Sequence, residues 1–276
     1  MAEDGYNLYK YKPSPAAAMI FLIAFGVASL WHIWIIFHRK AWYFTPLLLG
    51  CIVETIGYVG RFLSTSDPSS TGFFMIQTLC LLVAPALFAA SIYMVLGRLI
   101  LFLRAPRLSP IKPTKLTKVF VLGDVISFLM QCMGGGLLAK QSTFTTGQTV
   151  ILIGLAVQII FFGLFIVAAV VFHIRVINRP PPLLPVEHSG KWLQGWRGVL
   201  TVLYLSAGLV FVRSLFRLIE YTSDSDGPLM THEAYLYVFD ALLMLGVAAI
   251  IALFHPANYV PTKKEILALQ DLQIES

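Results

Sequence analysis

Residues 147–174 read GQTVILIGLAVQIIFFGLFIVAAVVFHI, a run with no Asp, Glu, Lys or Arg anywhere in it. The hydrocarbon core of a bilayer is about 30 Å thick and takes about 20 apolar residues per helix, so this run is long enough to cross and to project beyond. Outward from it, the same length rule predicts six more spans at 15–37, 44–64, 73–103, 118–138, 198–220 and 233–254. The expected fold class is therefore all-α: a polytopic membrane protein built as a seven-transmembrane-helix bundle. Composition agrees. Of 276 residues, 58% are hydrophobic and only 12% charged, with a mean hydropathy of +0.79, whereas soluble domains carry about 25% charged residues.

Loop charge predicts the orientation. Thirteen Lys and Arg (39, 40, 104, 107, 112, 115, 118, 175, 179, 191, 197, 263 and 264) fall on one side, against Lys10, Lys12 and Lys140 on the other. By the positive-inside rule the richer side is cytosolic, which puts the N-terminus outside and the C-terminus in the cytosol. Residues 1–14 then form an extracellular segment, 15–260 the seven-helix domain and 261–276 a cytosolic tail. The first helix reads as retained, because no basic stretch and cleavage site precede it. Pro85 is expected to kink the third span.

The net charge of +6 follows mostly from this topological bias, so membrane lipids and not nucleic acid are the expected partners. Cys51, Cys80 and Cys132 lie in apolar runs and read as packing residues. His32, His173 and His255 have no metal-binding spacing, and no phosphate-binding Gly-rich loop is present. Neither a metal nor a cofactor is expected, and ATP-driven pumping by this chain alone is not. Trp31, Trp34, Trp42, Tyr43, Trp192 and Trp196 suit an interfacial aromatic belt. Gly57, Gly60 and Gly134 to Gly136 suit close helix packing. Nothing fixes the oligomeric state.

Four arginines remain inside the predicted spans: Arg61, Arg98, Arg213 and Arg217. Facing lipid, each costs about 2.5 kcal/mol or more, so such residues face the bundle interior and pair. The candidate acids are Glu54, Asp124, Glu220, Glu233 and Asp240. With a rise of 1.5 Å per residue, Arg61, Arg213, Arg217, Glu220, Glu233 and Asp240 share the outer half. Helical spacing then gives three polar stripes: Glu54, Tyr58 and Arg61; Arg213, Arg217 and Glu220; Glu233, Tyr237 and Asp240. These predict a charged chamber between helices 2, 6 and 7, extended inward by Gln77, Gln131 and Gln158. Arg98 and Asp124 are expected as a separate inner-half polar pair.

The motifs that carry these residues have a recognisable order: YKPS (11–14), ETIGYVGR (54–61), AP (84–85) through AA (89–90) to YMVLGR (93–98), Asp124, Gln131 before GGG, Gln158, RSLFRLIE (213–220), Glu233 with YVFD (237–240), and HP (255–256). In order and spacing the chain resembles the fungal lipid-translocating exporter family, also called RTA-like proteins, from about residue 11 to 261. It departs from the pattern at Ala257, where Gly is frequent, and in the acidic DSDG at 224–227. The resemblance implies seven helices, resistance to toxic amphiphiles, movement of sphingoid long-chain bases, phospholipid asymmetry or porphyrin uptake, and a place most often in the plasma membrane. The expected function is transport of a lipid or amphiphilic small molecule, with a cationic amine held by carboxylates and a phosphate by arginines. A seven-helix receptor or stress sensor is the alternative, although no lysine in helix 7 serves a retinal and no acid precedes Arg98. The chain offers acids without a nucleophile, metal set or oxyanion arrangement, so it is not read as an enzyme.

Overall fold

A computed structural model of the chain describes residues 14–67, 70–138, 141–180, 195–222 and 233–256. Among these residues there is no strand, and seven helices are long and apolar enough to span a membrane. They are α1 (Pro15–Arg39), α2 (Thr45–Ser66), α3 (Thr71–Phe102), α4 (Pro113–Leu138), α5 (Phe144–Asn178), α6 (Trp196–Thr222) and α7 (Glu233–Leu253). The protein is an all-α seven-helix membrane bundle, as its apolar runs predict. The acidic residues Asp224 and Asp226, most of segment 1–14 and the tail 261–276 lie outside the described residues.

Local chemistry sets the helix ends. Ser14 caps α1, its Oγ accepting from the Ala17 N–H, with Pro15 at the first helical position where no N–H is needed. Lys40 closes α1 in the left-handed region (φ 52°), its N–H returning to the Ile36 carbonyl. α4 departs most from expectation: it starts at Pro113, five residues before the predicted 118. Lys115 and Lys118 occupy its first two turns, where long side chains reach the interface while their stems stay apolar. The uncharged run therefore begins later than the helix itself.

The bundle is apolar outside and charged inside. Ile23, Val27, Leu30 and Trp34 of α1, and Ile160, Leu164 and Val167 of α5, are exposed, whereas Arg61 and Arg213 are the two largest fully buried side chains. In water such a surface would associate; in a bilayer it faces lipid. α3 occupies the centre, packed against α2, α4 and α6. α2 approaches it closely because Gly60 has no side chain: a Cβ there would lie 3.2 Å from the Gln77 nitrogen. Gly134 serves α4 against α5 in the same way, with the Gly147 carbonyl 2.7 Å from a built Cβ, while Gly135 and Gly136 face open space and serve no packing.

Of the predicted aromatic belt, Trp31, Trp34 and Trp42 are exposed. Tyr43 and Trp196 are buried instead, Tyr43 because its ring lies under the Arg98 guanidinium. Trp192 lies outside the described residues. All three cysteines are free.

Candidate functional site

Where α2 and α6 end and α7 begins, the three polar stripes meet. Arg61 stands about 8 Å from the end of α2, and Arg217 about 8 Å from the end of α6, taking 1.5 Å per residue, so both reach the first turns of α7. Arg61 donates through Nε to Tyr237 Oη at 2.9 Å and through Nη2 to Glu233 Oε1 at 2.7 Å. Tyr237 Oη donates on to Glu233 Oε1 at 3.0 Å. Asp240 is the second hub: its Oδ1 accepts from Arg213 Nε at 2.6 Å, and its Oδ2 accepts from Arg217 Nη2. Arg217 also reaches Glu220 Oε2 through Nη1, at 2.9 Å one turn along α6.

Two further anchors belong to the network that the charge stripes alone do not reveal. The Ser14 N–H donates to both oxygens of Glu233, at 2.9 and 3.1 Å, so one carboxylate joins the first residues of α1 and α7 to Arg61. Arg213 Nη2 donates to the Leu81 carbonyl of α3 at 2.5 Å. In an α-helix that carbonyl would accept from residue 85, but residue 85 is a proline with no N–H. Pro85, expected as a kink, lies within a helix assigned continuously from Thr71 to Phe102, and its evident effect is to leave an acceptor for Arg213. A proline four residues after a carbonyl is legible in sequence, and it was the available signal.

α7 contains a further irregularity that no periodicity indicates. Tyr237–Ala241 form a π turn, with the Leu242 N–H bonding the Tyr237 carbonyl five residues back. The wider turn rotates Asp240 away from Tyr237 relative to a regular helix, so Tyr237 meets α2 while Asp240 meets α6. Such single π turns are frequent at functional sites.

The arrangement is a closed network. The Arg61, Arg213 and Arg217 side chains are 0%, 1% and 10% exposed, and Glu233 is 15% exposed. Glu54, on the same face of α2 two turns from Arg61, is buried, feels Asp240, Arg213 and Arg217 electrostatically, and has an Oε1 with no hydrogen-bond partner. Tyr58 is fully buried, its ring stacked with Phe21, Phe25 and Tyr237 at 5.6, 5.7 and 6.3 Å.

Two expectations need correcting. Gln131 and Gln158 do not hydrogen-bond the charged residues. Gln131 Nε2 donates to Gln158 Oε1 at 3.0 Å and to Ser127 Oγ at 2.7 Å, and Ser127 bonds the Gly154 carbonyl, which clamps α4 to α5. Arg98 and Asp124 form no pair. Starting α4 at Pro113 places Asp124 about 16 Å along it, whereas Arg98 lies only about 6 Å from the end of α3. At the depth of Asp124, α3 presents Tyr93, and Arg98 stacks on Tyr43 with its guanidinium carbon 3.8 Å from the ring centre.

His32 and His255 add contacts between elements. His32 Nε2 lies 3.2 Å from the Ala248 carbonyl of α7. His255, just beyond α7, packs on Phe44 with ring centres 4.3 Å apart. Burial pushes its imidazole down to about 3, aided by nearby His32 and Arg39. Among the described residues no cluster of His, Cys, Asp and Glu could hold a metal ion.

A seven-helix bundle with a lipid-facing exterior and paired charges at its core defines an integral membrane protein whose polar chemistry is internal. The chain belongs to the RTA1 like protein family, whose sequence model matches residues 47–263, a span that includes every charged member of the network. It is 36% identical to Protoporphyrin uptake protein 1 of Saccharomyces cerevisiae, over 89% of this chain and 90% of that one. It is 30% identical to the Probable lipid transporter atnI of Emericella nidulans, over 93% and 71% respectively. With the Sphingoid long-chain base transporter RSB1 of Saccharomyces cerevisiae it shares 27% identity, over 85% of this chain and 69% of that one. No solved structure matches the chain.

Proposed function

We propose that this protein moves a lipid or lipid-like amphiphile with a cationic amine headgroup, such as a sphingoid long-chain base, or a related phospholipid, across the membrane without ATP. The relatives' names support the substrate class. The single observation that carries the mechanism is Asp240, a buried carboxylate bound by two arginines of α6. An amine headgroup competes with Arg213 and Arg217 for Asp240, and with Arg61 for Glu233; a lipid phosphate competes with the carboxylates for the arginines. Glu54 adds a carboxylate with an uncommitted oxygen below these pairs. Exchange of one partner for another keeps each charge satisfied while α7 shifts at its π turn. Because Glu233 also holds Ser14, its release frees the start of α1.

In this reading the basic loop side faces the cytosol, the N-terminus is outside, the network lies in the outer half, and the membrane is the plasma membrane. The protein is a translocator and not an enzyme. Purified protein in liposomes should transfer a fluorescent sphingoid base between leaflets faster than empty vesicles with no nucleotide present; equal rates would sink the proposal. The closure of the network favours a second reading, a receptor or stress sensor in which a lipid-like ligand unlocks α7. A ligand-dependent change in α7 without lipid transfer would select it.

A further inference from the structure

Asp124 is outside the network and, among the described residues, has no charge partner. Its side chain on α4 is 3% exposed, and neither carboxylate oxygen has a hydrogen bond of standard geometry. It faces the Tyr93 hydroxyl of α3, which is itself fully buried and lacks a bond of standard geometry. The carboxylate thus meets one neutral hydroxyl and, among the described residues, no cation. Around them stands a nest of rings: Tyr93 lies 4.5 Å from Phe165, 5.5 Å from Phe120 and 5.9 Å from Phe162, centre to centre. Phe120 precedes Asp124 by one turn on the same face of α4. The rest of the α4 stripe is committed, since Ser127 and Gln131 bond across to α5.

A carboxylate held in an apolar interior by one neutral hydroxyl is costly in its charged form, and a counter-charge that reaches it removes that cost. A carboxylate beside a cluster of rings matches one ligand class, because aromatic rings attract cations while the carboxylate supplies charge and hydrogen bonding. We propose that Asp124, with Tyr93, Phe120 and Phe165, is a second binding site for an organic ammonium group, formed by α3, α4 and α5 and independent of Asp240. It extends the amine-headgroup reading of the preceding subsection to a second station deeper along the bundle.

The test is equilibrium binding of a fluorescent sphingoid base to the purified full chain in lipid nanodiscs, with tetramethylammonium as a free-cation competitor. Wild type binds two equivalents. Asp124→Asn binds one, and its lost site is weakened about tenfold or more, as removal of a charge-assisted contact requires. Phe165→Leu retains both sites, with one weakened about threefold through loss of a ring face. Competition by tetramethylammonium at the Asp124 site shows recognition of the ammonium itself; competition only by long-chain bases shows that the site needs the lipid, and both outcomes support an ammonium ligand. Should Asp124→Asn fail to fold, a photoactivatable base supplies the readout: labelling on α4 beside Asp124 is expected. Undiminished binding by Asp124→Asn, or labelling confined to α6 and α7, overturns the proposal. Intact binding at Asp124 without transport would sink the transport reading and leave this one standing.

Discussion

Replacing Asp240 by Asn keeps the shape of the side chain and removes the charge on which two buried arginines depend. Oδ1 accepts from Arg213 Nε at 2.6 Å and Oδ2 accepts from Arg217; an amide offers one acceptor and turns its NH2 toward the other guanidinium. Arg217 keeps Glu220, but Arg213 has only the neutral Leu81 carbonyl left among its bonds given above. Breaking one partner out of a buried ion pair costs about 3–5 kcal/mol. At about 2–4 °C per kcal/mol for a chain of this order of size, melting in detergent should fall by roughly 6–20 °C. Asp240→Asn combined with Arg213→Gln removes the stranded charge, so the double variant should be less destabilised than the two single changes summed, by at least about 1 kcal/mol. A fall under about 2 °C for Asp240→Asn, or strict additivity in the double variant, would refute the hub role.

Arg61→Lys retains a charge but loses the fork that serves Tyr237 and Glu233 together; it should melt between wild type and Arg61→Ala, about 1–2 kcal/mol below wild type. Gly134→Ala should destabilise by about 1–3 kcal/mol, because its Cβ meets backbone atoms 2.7 and 2.9 Å away, while Gly136→Ala, facing open space, should be neutral or stabilising by up to about 1 kcal/mol. His255 is neutral in the fold with its value lowered from 6.5 to about 3, so the unfolded chain binds more protons between those values. Stability should therefore rise with pH from about 3 to 6.5 and level off above it; His255→Asn should flatten that rise in melts taken across pH.

The sequence made the seven spans and the charge stripes legible for one reason: membrane cost filters residues harshly, so an arginine within an apolar run must find an acid at its own depth. Arg61, Arg213, Arg217, Glu220, Glu233 and Asp240 could be sorted in this way, and they meet in the structure. The partners that charge spacing does not reveal are backbone groups, the Ser14 N–H and the Leu81 carbonyl, because every residue type carries them. Pro85 did hold the clue to Leu81. The π turn had none, because 233, 237 and 240 share a face in a regular helix and only packing against both α2 and α6 reveals the rotation. An α4 start at 118 matches Asp124 to Arg98, whereas the start at Pro113 shifts Asp124 by about 8 Å, enough to exchange an arginine for a tyrosine as neighbour.

The central claim concerns headgroup chemistry at the Asp240 network, and transfer in proteoliposomes tests it most directly. Wild type and Asp240→Asn would each be given a sphingoid base with a free amine and the same base N-acylated to an uncharged amide. The account predicts that wild type moves the amine faster than empty vesicles and faster than the amide, and that Asp240→Asn loses this preference. Equal transfer of amine and amide by wild type, or an unchanged amine preference in Asp240→Asn, would contradict it.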